Sequence, residues 1–119
     1  IQLLMNPKWE PTLVNPLTKE TGISPSFPAY PSGHSTMGGA AAEVLTDIFG
    51  NNYDMYDNCH LGRTEFISTP RHFNNFYEMA EENAISRVPL GVHWRMDCTA
   101  GVELGYLAGR KVNKLNWRK

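Results

Sequence analysis

Ser86-Arg87-Val88-Pro89-Leu90-Gly91-Val92-His93-Trp94-Arg95-Met96-Asp97 places a hydroxyl, a guanidinium, an imidazole and a carboxylate in one short segment between two helical patterns. On its N-terminal side, Phe73, Phe76, Tyr77, Ala80, Ala84 and Val88 make an apolar stripe at helical spacing, with Glu78, Glu81 and Glu82 off it. The stripe predicts a core-facing helix within Pro70 to Val88 that carries Ser86 and Arg87 in its last turn, stopped by Pro89. On its C-terminal side, Met96 to Leu115 reads as a final helix in which Gly101, Gly105 and Gly109 recur every fourth residue. Glycines inside a helix cost roughly 0.8 to 1 kcal/mol each. Such a face is reasonable only where it packs backbone to backbone against a neighbour.

Within the segment the chemistry is that of an oxyanion site. Arg87 is a planar five-donor fork suited to an oxyanion, and His93 is a nitrogen nucleophile or metal ligand. Asp97 follows His93 by four residues. On a helix that spacing sets the carboxylate below the imidazole, where it can accept one ring proton and leave the other nitrogen's lone pair exposed. A surface ion pair has the same spacing, so the trio alone decides nothing.

A second stretch changes that balance. Phe27-Pro28-Ala29-Tyr30-Pro31-Ser32-Gly33-His34-Ser35-Thr36 combines Pro-rich rigidity, a Ser-Gly turn and a His at a helix start. Small residues from Gly38 to Ala42 lead into Val44, Leu45, Ile48 and Phe49, with Gly50 as a stop and Ser32 as a cap. That helix directs the Gly33 and His34 amides and its positive end toward one point, a ready anion site. Its Gly/Ala face is the expected partner of Gly101, Gly105 and Gly109, a contact that brings His34 and His93 to one pocket.

Pro-Ser-Gly-His, followed later by Ser-Arg, five residues, His, three residues and Asp, resembles the motif pair of the type 2 phosphatidic acid phosphatase and vanadium-dependent haloperoxidase superfamily. The longer runs Phe27 to Ala40 and Gly91 to Asp97 resemble the haloperoxidase branch. The similarity extends from about Pro7 to Trp117. It implies vanadate as cofactor, with phosphate as an alternative occupant, its oxygens held by Ser32, Gly33 and Arg87. It further implies His93 as the vanadium ligand, Asp97 setting the His93 tautomer, His34 as acid/base, and Phe27 and Trp94 as halide-pocket residues. The implied reaction is oxidation of bromide or iodide by hydrogen peroxide. The alternatives are a phosphomonoesterase in which His93 attacks phosphorus and His34 protonates the leaving group, or an inactive oxyanion-binding fragment.

The rest of the chain sets bounds. At 119 residues it is no more than one domain, with 11 basic against 12 acidic side chains and a net charge of −1. Nothing in that balance steers it to nucleic acid or to an anionic membrane, and its apolar runs are too short to span a bilayer. Prolines at 7, 11, 16, 25, 28 and 31 make residues 1–31 an irregular arm, a wall and lid that Trp9, Leu13, Phe27 and Tyr30 should seat on other elements. Residues 32–119 then carry the helices and the site. The polar stretch Asn51 to Pro70 reads as a long loop, with His60 and Arg63 as solvated side chains rather than ligands. Cys59 and Cys98 are either a disulfide of an exported protein or an exposed and a buried thiol.

The expected fold is therefore mainly α, a part of a helical bundle with long irregular connections. In the resembling family an upstream Lys, followed after six residues by Arg-Pro, adds two cations to the oxyanion. Lys8 followed by Asn15-Pro16 imitates that spacing without the Arg. The chain is thus expected to be a C-terminal fragment, inactive by itself, whose missing Lys and Arg come from an N-terminal segment or a second chain, a homo-oligomer being one form of this. By the same resemblance the full protein would be secreted or periplasmic.

Overall fold

A computed structural model describes residues 8–64 and 69–116. Three helices form the frame: α1 (Gly33–Phe49), α2 (Phe76–Ile85) and α3 (Arg95–Asn113). Two three-residue strands, β1 (Met55–Asp57) and β2 (Arg71–Phe73), pair antiparallel between α1 and α2 with Tyr56 opposite His72. The architecture is mainly α, as the apolar periodicity implies.

α1 begins where Ser32, in extended backbone, accepts the Ser35 N–H on its side chain. It ends at Gly50, whose φ of 93° is open to glycine and disfavoured for other residues. α1 and α3 pack along their glycine faces. A Cβ on Gly39 would lie 2.6 Å from the Val102 carbonyl, one on Gly101 2.5 Å from the Ser32 carbonyl, and one on Gly109 2.8 Å from the Ala40 carbonyl. This is the backbone-to-backbone approach that offsets the helix-propensity cost of three glycines. Glu43, buried on α1, receives the Arg110 Nε–H at 3.0 Å, and Asn113 donates to the Glu43 carbonyl, closing the far end of the pair.

α2 is shorter than its apolar stripe suggests. Asn75 caps it by accepting the Glu78 N–H at 2.9 Å, so Phe73 falls in β2 rather than in the helix. Ser86 is its C-cap, and Arg87 lies beyond it in a turn whose backbone N–H bonds the Ala84 carbonyl. β1 likewise lies within the stretch expected to be loop throughout. Phe76 and Ala80 pack on Ala42, while Ala84 packs with Cys98 and Val102. The core is small and rich in alanine.

The described part of the N-terminal segment, residues 8–31, has no helix or strand. It crosses the α2–α3 connection, where Thr12 donates its N–H to the Leu90 carbonyl and Trp9 and Pro11 crowd Gly91. Trp9, Phe27 and Tyr30 nonetheless stay more than half exposed, so their rings are not seated in a core. Cys59 and Cys98 are free thiols, the first exposed and the second buried; they do not pair. No helix among the described residues is long and apolar enough to cross a membrane.

A candidate oxyanion site at the meeting of two helix starts

Ser32, fully buried, is the joint of the site. Its N–H donates to the Asp97 carbonyl at 3.0 Å, fastening the start of α1 to the first turn of α3. Gly101 lets this happen by presenting bare backbone to the Ser32 carbonyl. The N–H groups of Gly33 and His34 lie in the first turn of α1, where no earlier helical carbonyl can accept them. Among the described residues outside its own helix and chain neighbours, nothing lies within 4 Å of where a Gly33 Cβ would sit. First-turn amides and the positive end of the helix dipole are the groups an anion at this end would meet.

His93 reaches the same corner from the end of the α2–α3 connection. Its side chain is buried, and its Nδ1 lies 3.7 Å from Asp97 Oδ2. That separation is too long for a hydrogen bond, and among the described residues Nδ1 has no hydrogen-bond partner. The reason is that His93 precedes α3 and Asp97 is its third residue, so the four-residue spacing does not fall on one helical face. The Asp97 carboxylate instead accepts the Trp94 N–H at 2.8 Å, capping the helix. Asp97 is thus both a cap and a negative charge beside His93.

Arg87 is half-buried, and its Nε is a buried donor with no partner among the described residues. Burial, then the positive charge of Arg87 and the proximity of His93, hold the His34 imidazole below its ordinary value. Arg87 and His93 are thus close enough for their charge to act on His34. Asn83 donates to the His34 carbonyl at 3.1 Å, tying α2 to the start of α1; sequence reasoning passed over it because an Asn on a polar face carries no motif. Phe27 and Trp94, the halide-pocket candidates, are 58% and 76% exposed. His60 and Arg63 lie in the turn after β1, on a different part of the fold.

A helix start, a buried guanidinium nitrogen and two histidines make a candidate oxyanion corner on a helical domain. The family model described as the VCPO second helical-bundle domain matches residues 2–118, and the chain belongs to that family. It is 32% identical to the vanadium chloroperoxidase of Curvularia inaequalis over 73% of this chain and 20% of that protein. It is 34% identical to the vanadium-dependent bromoperoxidase of Ascophyllum nodosum over 88% of this chain and 20% of that one. The crystal structure of a bacterial vanadium-dependent iodoperoxidase superposes with a TM-score of 0.69 at 38% identity, covering 91% of this chain and 24% of that chain. The chain spans about a fifth of the length of the relatives it matches.

Proposed function

We propose that this chain supplies the vanadate-binding corner of a haloperoxidase that oxidises bromide or iodide with hydrogen peroxide. The observation that carries the reading is the pair of orphaned buried nitrogens, Arg87 Nε and His93 Nδ1, set beside the open first turn of α1. Buried polar atoms are almost always partnered. Two without partners at one corner suit a group that offers oxygens to donors and an electrophilic centre to an imidazole.

The residues fit vanadate. Ser32 Oγ, the Gly33 and His34 amides and the Arg87 guanidinium would hold its oxygens, and His93 would coordinate vanadium. The chemistry supplied by bound vanadate is Lewis-acid polarisation of the peroxide with no change in its own oxidation state. Arg87 and the α1 dipole compensate negative charge in a site partly shielded from water. His34, held neutral toward acidic pH by its surroundings, accepts a proton from hydrogen peroxide and returns it to the departing oxygen. The reaction balances as halide, hydrogen peroxide and one proton giving hypohalous acid and water. Asp97 biases His93 by charge rather than by a direct hydrogen bond. More cations than Arg87 are needed for a multiply charged oxyanion, and we propose that they come from outside this chain.

The test pairs binding with turnover in the assembled protein. His93→Ala should abolish retention of vanadate, while His34→Ala should retain the anion and lose halide oxidation. Equal vanadate affinity in the wild type and His93→Ala overturns the assignment of His93. Phosphate-ester hydrolysis without any halide oxidation overturns the peroxidase reading in favour of a phosphatase.

A further inference from the structure

The other end of α1 leads to a second group of donor atoms. α1 is 17 residues long, which separates its two ends by roughly 25 Å. Past it, β1 ends at Asp57 and the chain turns, with the Leu61 N–H bonded to the Asn58 carbonyl at 2.9 Å. Within that turn Asp57 Oδ1 accepts the Cys59 N–H at 3.0 Å, which folds Cys59 back over the carboxylate. His60 follows directly. One donor atom from each of Asp57, Cys59 and His60 lies within 4.8 Å of the others.

We propose that Asp57, Cys59 and His60 form a site for a zinc-like divalent cation, binding it through a carboxylate oxygen, a thiolate and an imidazole nitrogen. Water completes the fourth position. One sulfur, one nitrogen and one oxygen are a borderline-soft set that suits zinc, whereas calcium and magnesium take oxygen ligands. Bonds of about 2.0 to 2.3 Å place tetrahedral ligand atoms roughly 3.3 to 3.8 Å apart. The three donors therefore need to close by about an ångström, which side-chain rotation on an exposed turn allows.

The surroundings keep the carboxylate in place and charged. Arg71, across the hairpin on β2, holds Asp57 Oδ2 at 2.7 Å and shares its guanidinium with Glu82. Oδ2 is thus committed to Arg71 while Oδ1 faces the turn. The Arg71 charge opposes a dication and keeps the affinity moderate. On binding, the Cys59 S–H bond breaks, a sulfur–metal bond forms and one proton passes to solvent; nothing is oxidised or reduced.

The experiment titrates the chelator-treated chain with cobalt and then displaces cobalt with zinc. A single site should give the sulfur-to-cobalt charge-transfer band, with about one proton released per metal bound. Cys59→Ser should abolish the band and weaken zinc by at least about tenfold, as should His60→Ala for affinity; unchanged far-ultraviolet circular dichroism shows that both variants fold. No charge-transfer band in the wild type, or zinc affinity unchanged by Cys59→Ser, would overturn the site. Because vanadate binding and halide oxidation are not read out, this outcome is independent of the proposed function.

Discussion

At the scale of single residues, the proposed site sets charged and titratable side chains beside one another. Arg87 helps to depress His34, so removing it must move His34 in a predictable direction. Arg87→Gln should raise the His34 pKa toward the ordinary value of about 6.5, read by NMR titration of the imidazole. The depressed value means that the folded chain binds fewer protons than the unfolded one between the folded pKa and about 6.5. The contribution of His34 to stability is therefore complete above that window and falls as pH drops through it. An unmoved His34 in Arg87→Gln would show that the guanidinium points elsewhere. Asp97 has two roles that two substitutions separate. Asp97→Asn keeps an oxygen for the Trp94 N–H and removes the charge beside His93, so it should leave the helix capped yet weaken the anion by about tenfold or more. Asp97→Ala removes both, and should additionally lower stability by about 1 kcal/mol in a urea melt. Equal vanadate affinity in wild type and Asp97→Asn would reduce Asp97 to a helix cap.

At the scale of elements, what could be read from the sequence was what is local. Ser32 as cap, Gly50 as stop, the Gly/Ala face of α1 and the four-residue glycine repeat of α3 are signals contained within one turn or a few, and the structure places them accordingly. The hairpin was not legible. β1 and β2 are three residues each with Asp57 and Arg71 at their facing ends, too short to show alternation. Their pairing rests on contacts between segments more than a dozen residues apart. Arg87 reads as part of a helical last turn although α2 ends before it, because an apolar residue at Val88 continues the stripe without continuing the hydrogen bonds. The glycines allow a sharp prediction at this scale. Gly101→Ala drives a Cβ to 2.5 Å from the Ser32 carbonyl and 2.8 Å from Ser35 Cβ, and overpacking of this kind costs about 1 to 3 kcal/mol. Gly33→Ala meets nothing within 4 Å, so its urea midpoint should stay near wild type while its methyl intrudes on the anion. A destabilised Gly33→Ala with unchanged anion affinity would contradict the open first turn.

At the scale of the whole molecule, the chain holds its helices together without enclosing itself. The Cα radius of gyration is 17.2 Å, where a compact domain of this length has about 13.5 Å. Its accessible surface is 9170 Å², against roughly 6,500 Å² for a compact monomer of this mass. Leu104, Leu107 and Met96 on α3 and Trp94 at its N-cap are exposed, and the buried apolar set among the described residues is three alanines, Cys98 and Val102 with Phe73 and Phe76 as its large members. The same incompleteness governs charge. Arg110 and Lys111 sit in the last turn of α3, at the opposite end of the helix from His93, where they suit the helix dipole and not the anion. On the proposed assignment, an oxyanion with more than one negative charge would be met by Arg87, the α1 amides and whatever proton His34 holds. Each further charged hydrogen bond that a complete site would add contributes roughly 1.5 to 3 kcal/mol. Two such bonds separate binding constants by about two to four orders of magnitude. Isothermal titration of the 119-residue chain with vanadate should therefore show binding far weaker than submicromolar, and a parallel assay should show negligible halide oxidation. Added polypeptide carrying the extra Lys and Arg should restore both together. Submicromolar vanadate binding with full turnover by this chain alone would show that Arg87 and the start of α1 suffice, and that the charge argument is wrong.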